Sequence, residues 1–395
     1  MIPVEFVLFG LTLLGVAIFH RHTLAVALLG LLLITACKVL FGDFHGAPGA
    51  VGLVFHLHEE WVILANLFAL LVGFAVLARH FEQSHLPHLL PRFLPDDWKG
   101  GLVLLALVFV VSAFLDNIAA AMIGAAVAGT VFRGRVHIGF LAAIVAAANA
   151  GGAGSVVGDT TTTMMWLDGK SPLQVLPAYV AAVAAFLVFA IPAARQQQAW
   201  APIQRDAESG QRIDVARLVI VLGVLAAAIA ANVYTNRLPE DRAGNFPYIG
   251  ATVLGLLLLL TPWRRPDWSV LPAALKGSAF LLSLVLSASM MPVDALPPAS
   301  AATTFGLGFV SAVFDNIPLT KLALEQGGYD WGALAYAVGF GGSMIWFGSS
   351  AGVAVSNLFP EARSVVEWLR HGWHVAVGYV VGFLVFIAVL GWHPE

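Results

Sequence analysis

The stretch SAFLDNI, Ser112–Ile118, recurs almost unchanged as SAVFDNI, Ser311–Ile317. Each copy places an aspartate and an asparagine in the middle of a long apolar run. A charged residue at the centre of a bilayer costs at least about 2.5–3.5 kcal/mol on insertion scales. Because that cost is met twice at equivalent places, we predict that the chain has two related halves. We also predict a functional role for Asp116 and Asp315.

The composition is typical of a membrane protein with many spans. The 395 residues are 59% hydrophobic and 11% charged, and the mean hydropathy is +0.86, whereas soluble domains carry about 25% charged residues. Apolar runs of membrane-spanning length recur along the whole chain. The basic residues are scattered rather than gathered in a patch, so no nucleic-acid partner is expected. We predict an all-α polytopic membrane protein whose main partner is the lipid bilayer.

The apolar runs follow the same order in both halves. In the first half they lie at about 4–18, 23–40, 61–78, 100–115, 118–132, 138–166 and 174–193. In the second half they lie at about 218–235, 248–263, 277–293, 299–314, 317–328, 331–358 and 373–391. Doubled, interrupted hydrophobic segments indicate a transporter built from two repeats. We therefore predict a first repeat at 1–194, a cytoplasmic linker loop at 195–217 and a second repeat at 218–395.

The charged loops predict how the repeats are oriented. If each aspartate–asparagine unit is a re-entrant hairpin that enters and leaves on one side, the arginine-rich loops fall on one face. The opposite face then receives a loop with Asp43, Glu59 and Glu60. The positive-inside rule places the arginine-rich face in the cytoplasm. The repeats are then inverted, with five spans and one re-entrant hairpin in each.

A third acidic residue, Asp159, lies in NAGGAGSVVGDTTTTMMW, Asn149–Trp166. The corresponding stretch of the second half is GFGGSMIWFGSSAG, Gly339–Gly352. Glycines allow a helix to unwind and bring its backbone close to a bound ion. A contact between helices through small residues explains the glycines and threonines but not Asp159. The glycines predicted to break the two helices are Gly151, Gly152, Gly158, Gly341, Gly342 and Gly348.

Side chains that carry oxygen concentrate around these breaks and hairpins, and oxygen ligands suit a hard cation such as sodium. We predict that Asp116, Asp159 and Asp315 bind a sodium ion or a proton in competition, although aspartate also caps helices. The neutral groups predicted to complete this cation and proton site are those of Asn117, Asn149, Ser155, Thr160, Thr161, Asn316, Ser343 and Ser349.

The charge of the hairpin tips indicates whether the substrate is an anion or a cation. Helix N-termini that point into a membrane cavity attract anions, but aspartates at both tips would repel a carboxylate. The tips therefore favour cations that move with or against protons. Lys321 is a possible charge partner, and two alternatives stay open for it: its side chain extends outward toward Glu325, or it pairs with another acid.

The stretch Asn149–Trp166 resembles the signature of NhaD-type sodium/proton antiporters in the ion-transporter superfamily. The paired SAxxDNI stretches and the break at Gly339–Gly352 are similar to that family as well. The resemblance covers about 100–165 and 300–355, and the other spans by pattern alone. It implies an inverted-repeat fold, a homodimer, and a site formed by hairpin tips and broken helices. The same superfamily includes citrate and dicarboxylate carriers and arsenite exporters.

The leading hypothesis is a secondary antiporter of the inner membrane that exchanges sodium or lithium for protons. The first alternative is a proton- or sodium-coupled carrier of citrate or another organic anion, and an arsenite exporter is the next. No cofactor is expected, since small inorganic cations and protons are the transported species. An enzyme is not expected, because the chain has no HExxH metal motif.

Overall fold

The computed structural model describes residues 3–19, 22–44, 47–86, 94–203, 213–235, 238, 245–292, 296–314 and 316–395. The first part of the chain forms α1 (Val4–Ile18), α2 (Thr23–Phe41), strands β1 (Asp43–Phe44) and β2 (Ala47–Pro48), α3 (Gly49–Glu82), α4 (Trp98–Ser112), α5 (Asn117–Val131), α6 (Ile138–Ala153), α7 (Thr160–Leu167), α8 (Pro172–Val175) and α9 (Ala178–Trp200). The second part forms α10 (Val215–Thr235), α11 (Tyr248–Leu260), α12 (Leu271–Ser289), α13 (Ala301–Ser311), α14 (Asn316–Gln326), α15 (Trp331–Gly341), α16 (Ser350–Leu358), α17 (Val365–His371) and α18 (Trp373–Leu390). Short 3₁₀ turns lie at Trp268–Val270, Gly342–Met344 and Pro360–Arg363.

The described part of the chain is mainly helical and apolar, as predicted. The two strands add only a short antiparallel ribbon between α2 and α3. Among the described residues, five helical segments are long and apolar enough to cross a bilayer, namely Thr23–Phe41, Gly49–Glu82, Pro172–Trp200, Trp268–Ser289 and Trp373–Leu390. Only helices and closed barrels satisfy their backbone groups inside a membrane. The chain is therefore a multi-pass membrane protein.

The structure corrects the prediction of a loop that holds Glu59 and Glu60. Both residues lie within helix α3, which begins at Gly49 and ends at Glu82. The sequence pattern suggested a loop because acidic residues are rarely placed inside a membrane helix without a partner. Glu60 has one, since its carboxylate accepts hydrogen bonds from Lys321.

The predicted linker loop is shorter than the sequence suggested. Helix α9 continues to Trp200, and helix α10 begins at Val215, so both ends of the 195–217 segment are helical. Residues 204–212 lie outside the described residues. Arginines and glutamines favour helices about as strongly as leucine does, so a hydrophilic segment can extend an apolar helix.

The chain divides into two compact units, and each contains residues from both predicted halves. Unit 1 consists of Met1–His80, Ala216–Pro297 and Lys321–Gln326. Unit 2 consists of Phe81–Val215, Pro298–Thr320 and Gly327–Glu395. Helix α14 is thus shared, with its first turn and a half in unit 2 and its C-terminal part in unit 1. The boundaries of the two repeats stay a prediction, because compactness does not test them.

Unit 1 joins its helices through polar contacts as well as apolar packing. The Asn66 side-chain oxygen accepts a hydrogen bond from the Gly250 backbone N–H at 3.0 Å. The Arg79 Nε donates to Asp267 Oδ2 at 2.9 Å. Hydrogen bonds from Ser269 and Arg79 lower the pKa of Asp267 to about 2, so this carboxylate stays charged at neutral pH. These contacts link α3 to α11 and to the residue before the 3₁₀ turn at Trp268–Val270.

Unit 2 is built around two fully buried helices. Every residue of α6 from Gly139 to Ala153 is buried, and so is every residue of α15. Small residues dominate α6, which allows close approach of the neighbouring backbones. Helices α4, α5, α9 and α15 pack against it. A helix that is apolar on all sides belongs in the interior, and α6 ends at the first glycine-rich break.

Candidate functional site

The first aspartate–asparagine unit forms a helical hairpin. Helix α4 ends at Ser112 and helix α5 begins at Asn117, so a short turn separates the two arms. Asp116 is the N-cap of α5, and its Oδ2 accepts a hydrogen bond from the Ile118 backbone N–H at 3.1 Å. The capping role considered for Asp116 is therefore confirmed. Helices α13 and α14 flank the second unit, which stays a predicted hairpin because Asp315 lies outside the described residues.

Both predicted breaks are present. Helix α6 ends at Ala153 and α7 begins at Thr160, so the segment 154–159 is non-helical. In the second half α15 ends at Gly341, a 3₁₀ turn follows, and α16 begins at Ser350. The prediction that both runs are interrupted is thus confirmed, but Gly151 and Gly152 lie in the last turn of α6 and Gly341 is the last residue of α15, so the breaks begin after them.

Each aspartate–asparagine unit is attached to the neighbouring broken helix by an equivalent hydrogen bond from the serine that ends its first helix. The Ser112 hydroxyl donates to the Ala148 carbonyl at 2.6 Å, and the Ser311 hydroxyl donates to the Val338 carbonyl at 2.7 Å. All four residues belong to unit 2. The repeated serine of the SAxxDNI stretches therefore has a repeated structural role, which is to fix a hairpin arm beside a helix break.

Two of the predicted glycines allow a close approach that a side chain would prevent. A Cβ at Gly151 would lie 2.0 Å from the Phe109 carbonyl oxygen, and a Cβ at Gly341 would lie 2.3 Å from the Gly308 carbonyl oxygen. Such distances are far below van der Waals contact. In both halves glycine thus lets the broken helix touch the backbone of a hairpin arm.

Five of the predicted site residues form one buried hydrogen-bond network. The Asn117 amide donates to Asn149 Oδ1 at 2.9 Å and to Asp159 Oδ1 at 3.0 Å. The Asn149 amide donates to the hydroxyls of Ser343 at 2.9 Å and Ser349 at 3.2 Å. The network joins the tip of the first hairpin to both helix breaks. It brings together side chains that are up to 232 positions apart in the sequence.

Asp159 is the buried carboxylate of this network, and it is only 1% exposed. It occupies the N-cap position of α7, but its side chain makes no capping hydrogen bond there. Ser349 occupies the corresponding position before α16, and its hydroxyl does accept a capping hydrogen bond from the Gly352 N–H at 3.2 Å. A residue that only caps a helix would be expected to behave as Ser349 does. The Asp159 carboxylate is directed to the Asn117 amide instead.

The remaining predicted site residues have different surroundings. The Ser155 hydroxyl donates to the Ala113 carbonyl at 2.6 Å and so fastens the break to the first hairpin. Thr160, Thr161 and Asn316 are buried. The Thr161 hydroxyl has no hydrogen-bond partner among the described residues. Buried hydroxyls without a protein partner are uncommon, so Thr161 retains an oxygen that a ligand could contact.

The three aspartates around one sodium ion stay a prediction, since Asp315 lies outside the described residues. Among the residues that are described, no three Asp, Glu, His or Cys side chains gather in one place. The other side chains of the hydrogen-bond network around Asp159 are amides and hydroxyls. One carboxylate with neutral oxygens suits a singly charged cation better than a divalent or transition metal, which favours several charged or nitrogen and sulfur ligands.

The Lys321 side chain is paired with two acidic residues. Its ammonium group donates to both carboxylate oxygens of Glu60, at 2.9 and 3.0 Å, and lies 3.2 Å from Glu325. All three residues belong to unit 1. The sequence left two alternatives open, an orientation toward Glu325 or a pair with another acid. Both hold in part, because Lys321 contacts Glu325 one helical turn away and also Glu60 in α3. Sequence patterns gave no signal for Glu60, which is 261 positions earlier.

One further residue of the site was missed. Gly339 in α15 faces Asp159, since a Cβ built on it would lie 2.8 Å from Asp159 Oδ2. A signal was available in the sequence. When the two GG pairs are aligned, Gly339 falls on the position of Asn149, a predicted site residue.

Comparison of the sequence with known proteins identifies related transport proteins. The family described as "Citrate transporter" (CitMHS) matches residues 6–341. "Sodium/proton antiporter 1" of Arabidopsis thaliana is 29% identical over 341 residues, which cover 75% of this chain and 56% of that protein. "Na(+)/H(+) antiporter NhaD" of Alkalimonas amylolytica is 28% identical over 339 residues, covering 72% of this chain and 67% of that protein. The NhaD protein of Halomonas elongata is 25% identical, with 72% and 66% covered.

The chain thus spans just over half the length of the plant relative. The resemblance to NhaD-type antiporters that the motifs suggested is confirmed by these relatives. The matched region contains both aspartate–asparagine units and the first helix break, and it ends at Gly341, the last residue of α15. With the family match extending over most of its length, the chain belongs to the citrate transporter (CitMHS) family of membrane transport proteins.

Proposed function

We propose that this protein exchanges sodium or lithium ions for protons across the inner membrane. The observation that carries the proposal is the Asp159 carboxylate, which is 1% exposed and held by the Asn117 amide among neutral oxygens. The names of the relatives, sodium/proton antiporter and Na(+)/H(+) antiporter, support the same choice.

The chemistry of exchange follows from the environment of Asp159. A buried carboxylate is costly unless its charge is compensated. Either a proton or a small cation supplies that compensation, and both act at the same oxygens, so the two exclude each other. The amide and hydroxyl groups of Asn117, Asn149, Ser343 and Ser349 offer neutral oxygens that can adjust to either partner. Competition for one site is sufficient to couple the movement of a cation to that of a proton.

The other site residues predicted from the sequence belong to the proposal as well. Asp116 lies one residue before Asn117, at the first hairpin tip. Asp315 and Asn316 would supply the second tip, and Thr160 and Thr161 begin the helix after the first break. Two inverted repeats would offer the site to each side of the membrane in turn. We further propose a homodimer with the 195–217 segment in the cytoplasm, in agreement with the positive-inside rule.

A second candidate function is the coupled transport of citrate or another organic anion. The description of the matched family favours it. A carboxylate substrate needs a cationic partner in the protein, and Lys321 was the candidate from sequence. Its ammonium group is bound to Glu60 and lies near Glu325. With two carboxylates beside it, Lys321 offers little net positive charge, so the cation exchanger is the better supported proposal.

Transport in proteoliposomes with a pH-sensitive dye inside tests the choice between ions. A proton gradient is imposed, and sodium, lithium, potassium and citrate salts are added in turn. We expect sodium and lithium chlorides to collapse the gradient, while potassium citrate has no effect beyond that of potassium chloride. Uptake of labelled citrate without a response to sodium or lithium would contradict the proposal and favour the anion carrier.

Replacing Asp116 by asparagine separates helix capping from ion transport. Asparagine caps helices about as well as aspartate, so the hydrogen bond to Ile118 can be retained while the charge is removed. We expect the variant to keep its thermal stability within about 0.5 kcal/mol and to lose cation-dependent proton movement. Transport at the wild-type rate would show that Asp116 acts only as a cap. The thermal midpoint in detergent provides the stability control.

A further inference from the structure

Gly339 lies directly against the carboxylate proposed to bind the cation. A Cβ built on Gly339 would be 2.8 Å from Asp159 Oδ2. The next nearest atom is the Ala153 Cβ, at 4.0 Å. All three residues belong to unit 2. The space that a side chain at position 339 would need is therefore taken up by one neighbour, the Asp159 carboxylate.

The two halves of the site use the same pair of positions in different ways. Asn149 and Gly339 are 190 positions apart, and so are Asp159 and Ser349. Asn149 donates to Ser349 at 3.2 Å. The equivalent pair, with the halves exchanged, is Gly339 and Asp159, which are also in contact. One pair is an amide with a hydroxyl, and the other is a bare backbone with a carboxylate.

The Asp159 carboxylate has little freedom to avoid an added methyl group. Its Oδ1 accepts a hydrogen bond from the Asn117 amide at 3.0 Å, and the residue is 1% exposed. The ideal Cβ distance of 2.8 Å is shorter than the contact distance of a carbon and an oxygen. A side chain at 339 would therefore displace Oδ2 or move α15 away from the first helix break.

We propose that Gly339 is a positioning residue that sets where the Asp159 carboxylate stands, and through it the size of cation that the site accepts. The second part of this inference rests on the proposed cation exchange, while the first part does not. Asn117 fixes one carboxylate oxygen by donating to it. Gly339 fixes the other by leaving it room beside the backbone of α15.

A double-mutant cycle of thermal stability tests the positioning contact alone. The four proteins are the wild type, Gly339→Ala, Asp159→Ala and the double variant. We expect Gly339→Ala to lower the thermal midpoint in the wild-type background. In the Asp159→Ala background the same change should have no effect or a stabilising one, because alanine favours a helix over glycine. An equal effect of Gly339→Ala in both backgrounds would overturn the proposal.

Gly306 provides the matched control. It lies in helix α13 of the same unit, and a Cβ at that position would have no atom within 4 Å. Gly306→Ala should therefore leave the transport constants unchanged, and it should leave the thermal midpoint unchanged or raise it, because alanine favours a helix over glycine. A loss in Gly306→Ala as large as in Gly339→Ala would mean that the effect belongs to helical glycines in general and would overturn the proposal.

Ion selectivity tests the consequence for transport. In Gly339→Ala we expect the apparent KM for sodium to rise by about fivefold or more, since small misplacements of a binding group are costly. The KM for lithium should rise less, because a smaller ion tolerates a narrower site. A purely structural role would reduce the amount of active protein and leave the ratio of the two KM values unchanged, which would overturn the selectivity part. If the wild type transports no cation, the proposed function fails, while the stability cycle still decides the positioning role.

Discussion

Asp159→Asn is expected to abolish cation-dependent proton movement while leaving the fold intact. Asparagine has the shape of aspartate, but it can neither carry the charge that binds a cation nor take up the proton. Outer partners of an ion site cost 10–100-fold when removed, so the loss of a direct ligand should cost at least about 100-fold. The fold is expected to survive because the Asp159 side chain does not cap α7. Dye-based transport assays in proteoliposomes measure the loss.

An exposed aspartate gives the matched control for this substitution. Asp97 is the N-cap of α4 and accepts a hydrogen bond from the Lys99 N–H at 2.9 Å. Asparagine retains that cap, so Asp97→Asn should transport at the wild-type rate. Wild-type transport by Asp159→Asn would contradict the role proposed for this carboxylate. An inactive and unfolded Asp159→Asn protein would contradict the expectation that the side chain is dispensable for folding.

The site was largely predictable because its signals are local. Polar residues such as Asn117 and Asp159 stand out against an apolar background, and glycine pairs mark where helices break. The repeat of the two patterns then showed which segments belong together. The hydrogen bonds among Asn117, Asn149, Asp159, Ser343 and Ser349 confirm that these positions meet in the folded chain.

The roles of individual oxygens could not be predicted in the same way. Ser155 was expected to contribute to the ion site, but its hydroxyl is bonded to the Ala113 carbonyl. A serine in an apolar segment can bond to a ligand or to a nearby carbonyl, and the spacing of residues does not distinguish the two. Gly339 was quoted only as part of a break, because a missing side chain has meaning only when its neighbour is known.

Charge pairing between residues far apart in the sequence was the other limit on prediction. Glu60 was assigned to a loop because a charged residue in an apolar helix is unfavourable when it is considered alone. Its partner, Lys321, comes from the other half of the chain, and the pair makes the helical position acceptable. The two compact units show the same limit, since each combines segments of both halves. Local pattern predicts elements, whereas such pairs are decided by tertiary structure.

Lys321→Met is the second substitution with a large expected effect, and it acts on stability. Methionine occupies the corresponding place in the first hairpin, at position 122, so the side chain suits such a helix. The Lys321 and Glu60 side chains are only 7% and 12% exposed. Removing the lysine leaves Glu60 and Glu325 close together without a cation. Loss of one partner of a buried ion pair is expected to cost about 3–5 kcal/mol.

The double variant Lys321→Met/Glu60→Gln shows whether the loss of stability comes from the unpaired charge of Glu60. Replacing both partners of a buried pair is often nearly neutral, so we expect the double variant to recover most of the stability lost by Lys321→Met. Unfolding in detergent gives the free energies, and Lys276→Met, at an exposed position of α12, is expected to stay within about 0.5 kcal/mol of wild type. A stable single variant that loses labelled citrate uptake would instead assign Lys321 to an anion, because a lysine engaged only with Glu60 has no reason to affect that uptake.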